Sequence, residues 1–205
     1  MPIAKIETIA VGKYDTNCYL VENPDTREVF IVDAGAEGER IIRAVGERKP
    51  VAVLATHGHF DHISGVDTVC ARFGIPLYVF AEDIPKLTDA ALNGSRLFER
   101  DFVIQTHANT LTGGQKLRLA GMEITVLHTP GHSRGSCCFL LPEDQGVFSG
   151  DTLFQGGYGR TDIADGSFED LKQSLRYLFF ALPKQIAYPG HGPQAMAGRD
   201  GDKHL

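Results

Sequence analysis

No apolar run in the 205-residue sequence approaches the ~20 residues that a membrane-spanning helix needs. The opening stretch MPIAKIETIAVG is mixed in polarity and falls short of a signal peptide's apolar segment, so a cytoplasmic location is expected. Excess positive charge is missing too. Twenty Lys and Arg stand against 26 Asp and Glu, a formal net charge of -6 that disfavours nonspecific nucleic-acid binding. Neither nucleic acid nor membrane is an expected partner. There is no C-x-x-C pair and no internal repeat. Cys18, Cys70, Cys137 and Cys138 read as buried reduced thiols, with Cys137 and Cys138 on opposite faces of one strand. With 42% apolar and 22% charged residues, the length suits one globular domain over residues 1–205.

What is present alternates between strand and helix patterns. AKIETIAV, NCYLVE and EVFIVDAG read as strands, the last two joined as a hairpin by the turn NPDT. EGERIIRAVGERK carries Ile41, Ile42 and Val45 at helical spacing. Val51 to Ala55 is a buried-looking strand; residues 63–73 read as one helix closed by Gly74, and PLYVF is again a strand. Residues 82–115 are polar and irregular, and read as a surface helix or a lid over a cleft. Strands resume with QKLRLA, MEITVLHT, GSCCFLLP and GVFSG. SFEDLKQSLRYLFFAL is the clearest amphipathic helix, capped by Ser167, with Phe168, Leu171, Leu175, Leu178 and Phe179 on one face. The last strand, QIAYPG, runs into His191. Two packed sheets with helices outside suit this order.

Histidine is the residue in surplus: five of eight, with Asp61 and Asp151, are the candidate donors of four motifs that each end an apolar strand in a Gly- or Pro-rich turn. The motifs are THGHFDH (His57, His59, Asp61, His62), HTPGHS (His132), FSGDTLF (Asp151) and YPGHGP (His191). Gly131, Gly150 and Gly190 leave room for close approach. Three imidazoles within six positions have no structural use on a surface turn, whereas neutral imidazoles bind cations. Seven N and O donors exceed one tetrahedral ion but suit two ions sharing a carboxylate. The donor types suit Zn, Fe, Mn or Co and do not choose among them. Two such ions can bridge a water whose pKa falls to about 7, the chemistry of metal-assisted hydrolysis. His107, His128 and His204 lie outside the spacing and read as structural or exposed, His128 with a possible role behind a ligand.

These motifs resemble the metallo-β-lactamase superfamily, of which H-x-H-x-D-H is the signature, over nearly the whole chain. NCYLVE, IVDAG, HTPGHSRGS, SGDTLFQGGYGRTD and YPGHGP look like the short glyoxalase II group (hydroxyacylglutathione hydrolases). The resemblance implies an αββα four-layer sandwich of the α/β class, with two mixed sheets and outer helices. It puts His57, His59 and His132 on a first metal, Asp61, His62 and His191 on a second, and Asp151 between them. It also implies hydrolysis of a thioester such as S-D-lactoylglutathione, with Asp61 orienting the nucleophile. Arg160 falls where that family has a basic residue near substrate, although an ion pair with Asp162 or Asp165 would explain it equally well. Tyr158 is a weaker candidate for the pocket wall. Two features depart from full-length glyoxalase II: only GPQAMAGRDGDKHL follows His191, and Gly192-Pro193 replaces a tyrosine. Two alternatives stand beside the hydrolase. One is a persulfide dioxygenase-like mononuclear iron enzyme using His57, His132 and Asp151; the other is a non-catalytic metal-binding domain.

Overall fold

The computed structural model describes residues 2–200, so His204 lies outside the described residues. The first half forms β1 (Lys5–Val11), β2 (Thr16–Glu22), β3 (Glu28–Val32), α1 (Gly38–Val45), β4 (Lys49–Leu54), α2 (Phe60–Ile63), α3 (Val66–Phe73) and β5 (Leu77–Phe80). A 3-10 turn (Ala81–Leu87), α4 (Ser95–Phe98) and β6 (Ala108–Leu111) complete it. The second half holds β7 (Lys116–Leu119), β8 (Met122–His128), β9 (Cys137–Leu140), β10 (Val147–Gly150), α5 (Phe168–Ala181), β11 (Ile186–Pro189), β12 (Ala195–Met196) and α6 (Ala197–Asp200). Strands β1 to β6 make one sheet in sequence order, and β12 to β7 make the other in reverse order.

Period-two alternation explains the layering. In β2, Cys18 and Leu20 face an outer core beneath the helices, while Tyr19 and Val21 face the core between the sheets. In β3 and β4, Val29, Ile31 and Val53 point outward, and Phe30, Val32 and Leu54 point inward. Across the sandwich, Phe139, Phe148 and Tyr188 enter the same inner core, and Val147 and Ala187 pack outward on Leu171, Leu175 and Leu178 of α5. Cys137 and Cys138 do face opposite layers. The result is the αββα sandwich. Among the described residues no helix is long and apolar enough to cross a membrane.

Several local expectations need correction. The stretch 63–73 is not one helix: α2 ends at Ile63 and α3 starts at Val66. Between them the backbone turns against β3's exit, where Gly65 N–H donates to Ala34 O at 2.9 Å. Gly74 does close α3 in the left-handed region at φ 64°. The polar stretch 82–115 hides the strand β6, paired parallel to β5 at the sheet edge. QIAYPG is not the last strand, since β12 returns antiparallel to it. Ser167 caps α5 by accepting from Asp170 N–H, but Phe168 is 49% exposed, so the buried face is Leu171, Ser174, Leu175 and Leu178.

Candidate metal centre

All four donor motifs emerge at one edge of the sandwich. β3 and β4 run parallel, as do β10 and β11, so their carboxyl ends deliver Asp33, the His57–His62 loop, Asp151 and His191 to the same place. The β8–β9 connection adds His132 from the same side. The two sheets are laced together there. Asn17 at the start of β2 donates from Nδ2 to Pro189 O and Gly192 O, and Tyr19 Oη–H donates to Pro189 O at 2.6 Å. Gly190 is required by proximity: a Cβ there would lie 2.2 Å from Asp151 Oδ1 and 2.6 Å from His62 Cε1. Gly131 serves packing instead, because a Cβ at that position would lie 2.2 Å from Leu171 N at the start of α5.

The seven candidate donors form two groups. His57 Nε2, His59 Nδ1 and His132 Nε2 converge, with His132 Nε2 at 3.2 Å from the first and 2.8 Å from the second. His62 Nε2, His191 Nε2 and Asp61 Oδ2 form the other triad, with separations of 3.3 to 3.6 Å. Asp151 lies between them. Its Oδ1 is 3.3 Å from His62 Nε2, while Oδ2 is 3.5 Å from His132 Nε2 and 3.6 Å from His191 Nε2.

Outer hydrogen bonds reveal which way the lone pairs face. His132 Nδ1–H donates to Arg160 O at 2.7 Å, His191 Nδ1–H to Tyr14 O at 2.9 Å, and His62 Nδ1–H to Asp33 Oδ2 at 2.9 Å. Thr56 Oγ1–H donates to Asp33 Oδ2 at 2.8 Å, which leaves its oxygen to accept from His57 Nδ1–H at 3.2 Å. Carbonyl and carboxylate oxygens cannot donate, so each ring's proton is assigned to the outer nitrogen and the inner nitrogen presents a lone pair. Lone pairs facing one another at 3 Å repel unless a cation lies among them. Two buried atoms of the centre, His59 Nε2 and Asp151 Oδ1, have no hydrogen-bond partner. Such a donor set fits divalent metal: neutral imidazoles and carboxylates, inner atoms converging and outer atoms fixed.

Electrostatics divides the triads. Burial, then the neighbouring imidazoles of His62 and His132, pushes His57 well below the ordinary histidine range; burial and His132 do the same to His59. Burial also opposes charge on His62 and His191, but the carboxylates beside them outweigh it and raise both. Asp151 is driven down despite burial, because His62, His132 and His191 surround it. Burial works against ionised Asp61 as well, yet His62 and His191 lower it.

The centre floors an apolar cleft of about 300 Å³ lined by Tyr14, Phe60, Phe98, Phe154, Ile163 and Arg160, among others. The irregular stretch expected as a lid supplies one wall through Asn93, Gly94 and Phe98. Arg160 is in the wall and also in an ion pair: Nε and Nη2 donate to Asp162 at 2.7 and 2.9 Å, and the guanidinium lies 5.2 Å from the Phe98 ring centre. Its partner is therefore Asp162; Asp165 binds Lys86 instead. Tyr158 packs its ring on Phe168 and is not among the residues lining the cleft. His107 is exposed, and His128 stacks on Phe80 while its Nε2 meets Arg134 O, away from the ligands.

Sequence reasoning missed two buried carboxylates. Asp33 accepts from Thr56 N–H, Thr56 Oγ1–H and His62 Nδ1–H; its place at the end of β3, in IVDAG, was the available signal. Asp83 accepts from Gly58, Ser133 and Gly135 and meets Lys86, with no sequence signal to mark it.

The metallo-beta-lactamase superfamily pattern matches residues 11–191, from the end of β1 to the last donor. The chain belongs to that superfamily. Over 194 residues it is 37% identical to the probable metallo-hydrolase YqgX of Bacillus subtilis (strain 168), spanning 93% of this chain and 91% of that one. Over 202 residues it is 32% identical to the hydroxyacylglutathione hydrolase GloC of Haemophilus influenzae, spanning 95% and 94%. Among solved structures it resembles the BLEG-1 B3 metallo-beta-lactamase, with a TM-score of 0.90, 37% identity and 97% of both chains covered. The di-iron-bound form of TTHA1623 superposes with a TM-score of 0.83 at 33% identity, covering 94% and 95%. Metallo-hydrolase membership and a site able to hold divalent metal follow for this chain; the metal's identity does not, since one close structure carries iron.

Proposed function

We propose that the protein is a binuclear, metal-dependent hydrolase of thioesters, of the glyoxalase II type. The observation that carries this reading is two triads of inward lone pairs sharing Asp151 at the floor of an apolar cleft. His57, His59 and His132 would hold one ion, Asp61, His62 and His191 the other, and Asp151 both. Zinc is the first candidate, with iron and manganese next. When bound, the pair supplies acidified water and Lewis acidity toward a carbonyl oxygen.

The chain's own residues do the rest. Hydrolysis adds water across the acyl C–S bond; the acyl carbon gains the hydroxyl and the sulfur leaves as thiol. Asp61 lines the cleft and accepts from Thr16 Oγ1–H through Oδ2, which leaves its second oxygen to orient the water. Phe60, Phe98 and Phe154 exclude bulk water around the reacting carbonyl and pack against the substrate's apolar parts. Arg160, at the cleft wall, is placed to meet a carboxylate of the thiol carrier, in competition with Asp162. The partner is thus a small-molecule thioester, a glutathione conjugate being the first to test, and the relative named as a hydroxyacylglutathione hydrolase supports that choice.

Elemental analysis of the purified protein, alongside S-D-lactoylglutathione hydrolysis, tests the proposal. Two ions per chain with turnover that a chelator abolishes is the expected result. One iron per chain with oxygen uptake on a glutathione persulfide would replace it with the dioxygenase reading. A fully metallated but inert protein would leave a metal-binding domain. Likeness to BLEG-1 favours one second reading, β-lactam hydrolysis, so a chromogenic cephalosporin belongs in the panel. Turnover of the cephalosporin exceeding that of every thioester would reverse the order.

A further inference from the structure

We propose that Asp83 is the positioning residue of the first triad, holding its two ligand loops together independently of the carboxylate that serves the second. The inference rests on the metal-centre reading above. Asp83 sits in the 3-10 turn after β5, has no exposed surface, and is not a ligand candidate. Its Oδ2 accepts from Gly58 N–H and Ser133 Oγ–H, both at 2.7 Å. Its Oδ1 accepts from Gly135 N–H at 2.8 Å and pairs with Lys86 Nζ at 3.0 Å. Gly58 lies between His57 and His59, and Ser133 follows His132. One carboxylate therefore ties together the two chain segments that carry all three members of the triad, 75 positions apart at the extremes (His57 to His132).

Packing reinforces the tie. A Cβ at Gly58 would come within 2.7 Å of Lys86 Cβ, and one at Gly135 within 2.5 Å of Asp83 N, so both loops close on this turn where only glycine fits. Lys86 is itself buried and bonds Asp165 Oδ2 at 2.6 Å, so the clamp's charge is compensated locally.

His59 is where the clamp matters most. The other four imidazoles are oriented by outer hydrogen bonds to Thr56, Asp33, Arg160 O and Tyr14 O. The outer nitrogen of His59 has none, so its backbone placement, with packing against the His57 and His132 rings, aims it. That backbone is what Asp83 holds through Gly58. Asp33, by contrast, bonds His62 directly and reaches the first triad only through the Thr56 hydroxyl that meets His57; it touches neither His59 nor His132.

The test measures metal affinity rather than turnover, using zinc alone and a competing chromophoric chelator. In a His191→Ala background only the first triad is complete; in His132→Ala only the second. Asp83→Asn is expected to weaken zinc ten- to a hundredfold in the first background and less than threefold in the second. Ser133→Ala, which spares the Lys86 pair, should show the same asymmetry at smaller amplitude. If Asp83→Asn does not fold, Ser133→Ala, which leaves both Lys86 ion pairs intact, reads the asymmetry independently. Equal weakening in both backgrounds, or in neither, overturns the proposal. Loss of zinc binding in neither His variant relative to wild type would instead refute the metal centre itself.

Discussion

Replacing Asp33 by Asn probes the lone-pair argument directly. Asp33 adopts φ 55°, a left-handed conformation that Asn tolerates and Ala resists, so Asn changes charge with the least backbone penalty. Three donors reach the carboxylate: Thr56 N–H at 2.7 Å, Thr56 Oγ1–H at 2.8 Å and His62 Nδ1–H at 2.9 Å. The amide can keep its oxygen toward Thr56 N–H, but its NH₂ then faces the Thr56 hydroxyl and His62. To accept from that NH₂, His62 must move its proton to Nε2, the atom 3.3 Å from His191 Nε2 and Asp151 Oδ1. The second triad would thereby lose a lone pair. A hydrogen bond to a charged group contributes about 1.5–3 kcal/mol against about 1 for a neutral one. Weakening three of them should lower the metal-free protein's stability by about 2–4 kcal/mol, or its Tm by roughly 5–15 °C. Reversing the His62 tautomer on metal binding leaves the buried amide N–H facing Nδ1–H with no acceptor, about 1.4–2.8 kcal/mol, so zinc should bind about 10- to 100-fold more weakly. Imidazole ¹⁵N shifts in metal-free protein, recorded at a pH above the raised pKa of His62 so that the ring is neutral, report the tautomer, and chelator competition reports the affinity. An unmoved His62 proton together with zinc affinity within threefold of wild type would refute the reasoning.

Other outcomes follow from the same geometry. Asp61→Ala and His132→Ala should each cut thioester turnover by at least about a thousandfold, some 4 kcal/mol in transition-state terms, with an unchanged circular dichroism spectrum; near-wild-type turnover would sink the binuclear proposal. Arg160→Ala should raise KM several-fold with little change in kcat, since the side chain reaches substrate but not the reacting atoms, and an equal fall in kcat would argue otherwise. Acid should expel metal. His62 and His191 hold protons above the ordinary histidine value in the metal-free protein, so they stabilise that form below about pH 6.5 and lose the contribution as pH rises through their raised pKa. Zinc must displace those protons, and calorimetry in two buffers of unlike ionisation enthalpy should register proton release and affinity rising with pH. The four thiols should ignore a disulfide reagent at pH 8 until the protein is unfolded: burial lifts Cys70 and Cys138 to about 11, leaving roughly one thiolate in a thousand, and rapid labelling of the native chain would contradict their packing.

The layers were legible because burial on two faces writes itself into consecutive residues. Phe30 and Ile31, or Cys137 and Cys138, divide between cores simply by alternation. The seven donors were legible because crowded imidazoles have few other uses, and the structure brings all seven together. Edge strands were harder. In β6, ANTL exposes its middle residues and so imitates a loop, and two-residue β12 is too short to carry a pattern. The start of α5 misled for a related reason: Phe168 extends the apolar face without entering the core. Asp83 was invisible because its role exists only across separations of 25 and 50 residues, to Gly58 and Ser133. Carboxylates that accept backbone N–H groups leave no spacing rule in a sequence.

Arg160 shows why a side-chain scan alone would misjudge this site. Its guanidinium lies in the cleft wall, bound to Asp162, while its carbonyl receives the His132 Nδ1 proton and so fixes the lone pair that His132 offers the first triad. Alanine removes the first role and leaves the second untouched. Gly159, beside it, enforces the approach, since a Cβ there would sit 2.1 Å from Asp151 O and 2.7 Å from His132 Nδ1. The loop that meets substrate is therefore also the loop that sets the tautomer of one ligand and abuts another. A substitution at Gly159 that displaces this backbone should reach metal affinity as well as KM, whereas Arg160→Ala should reach KM alone. That split separates what residue 160 does for substrate from what its backbone does for the metal centre.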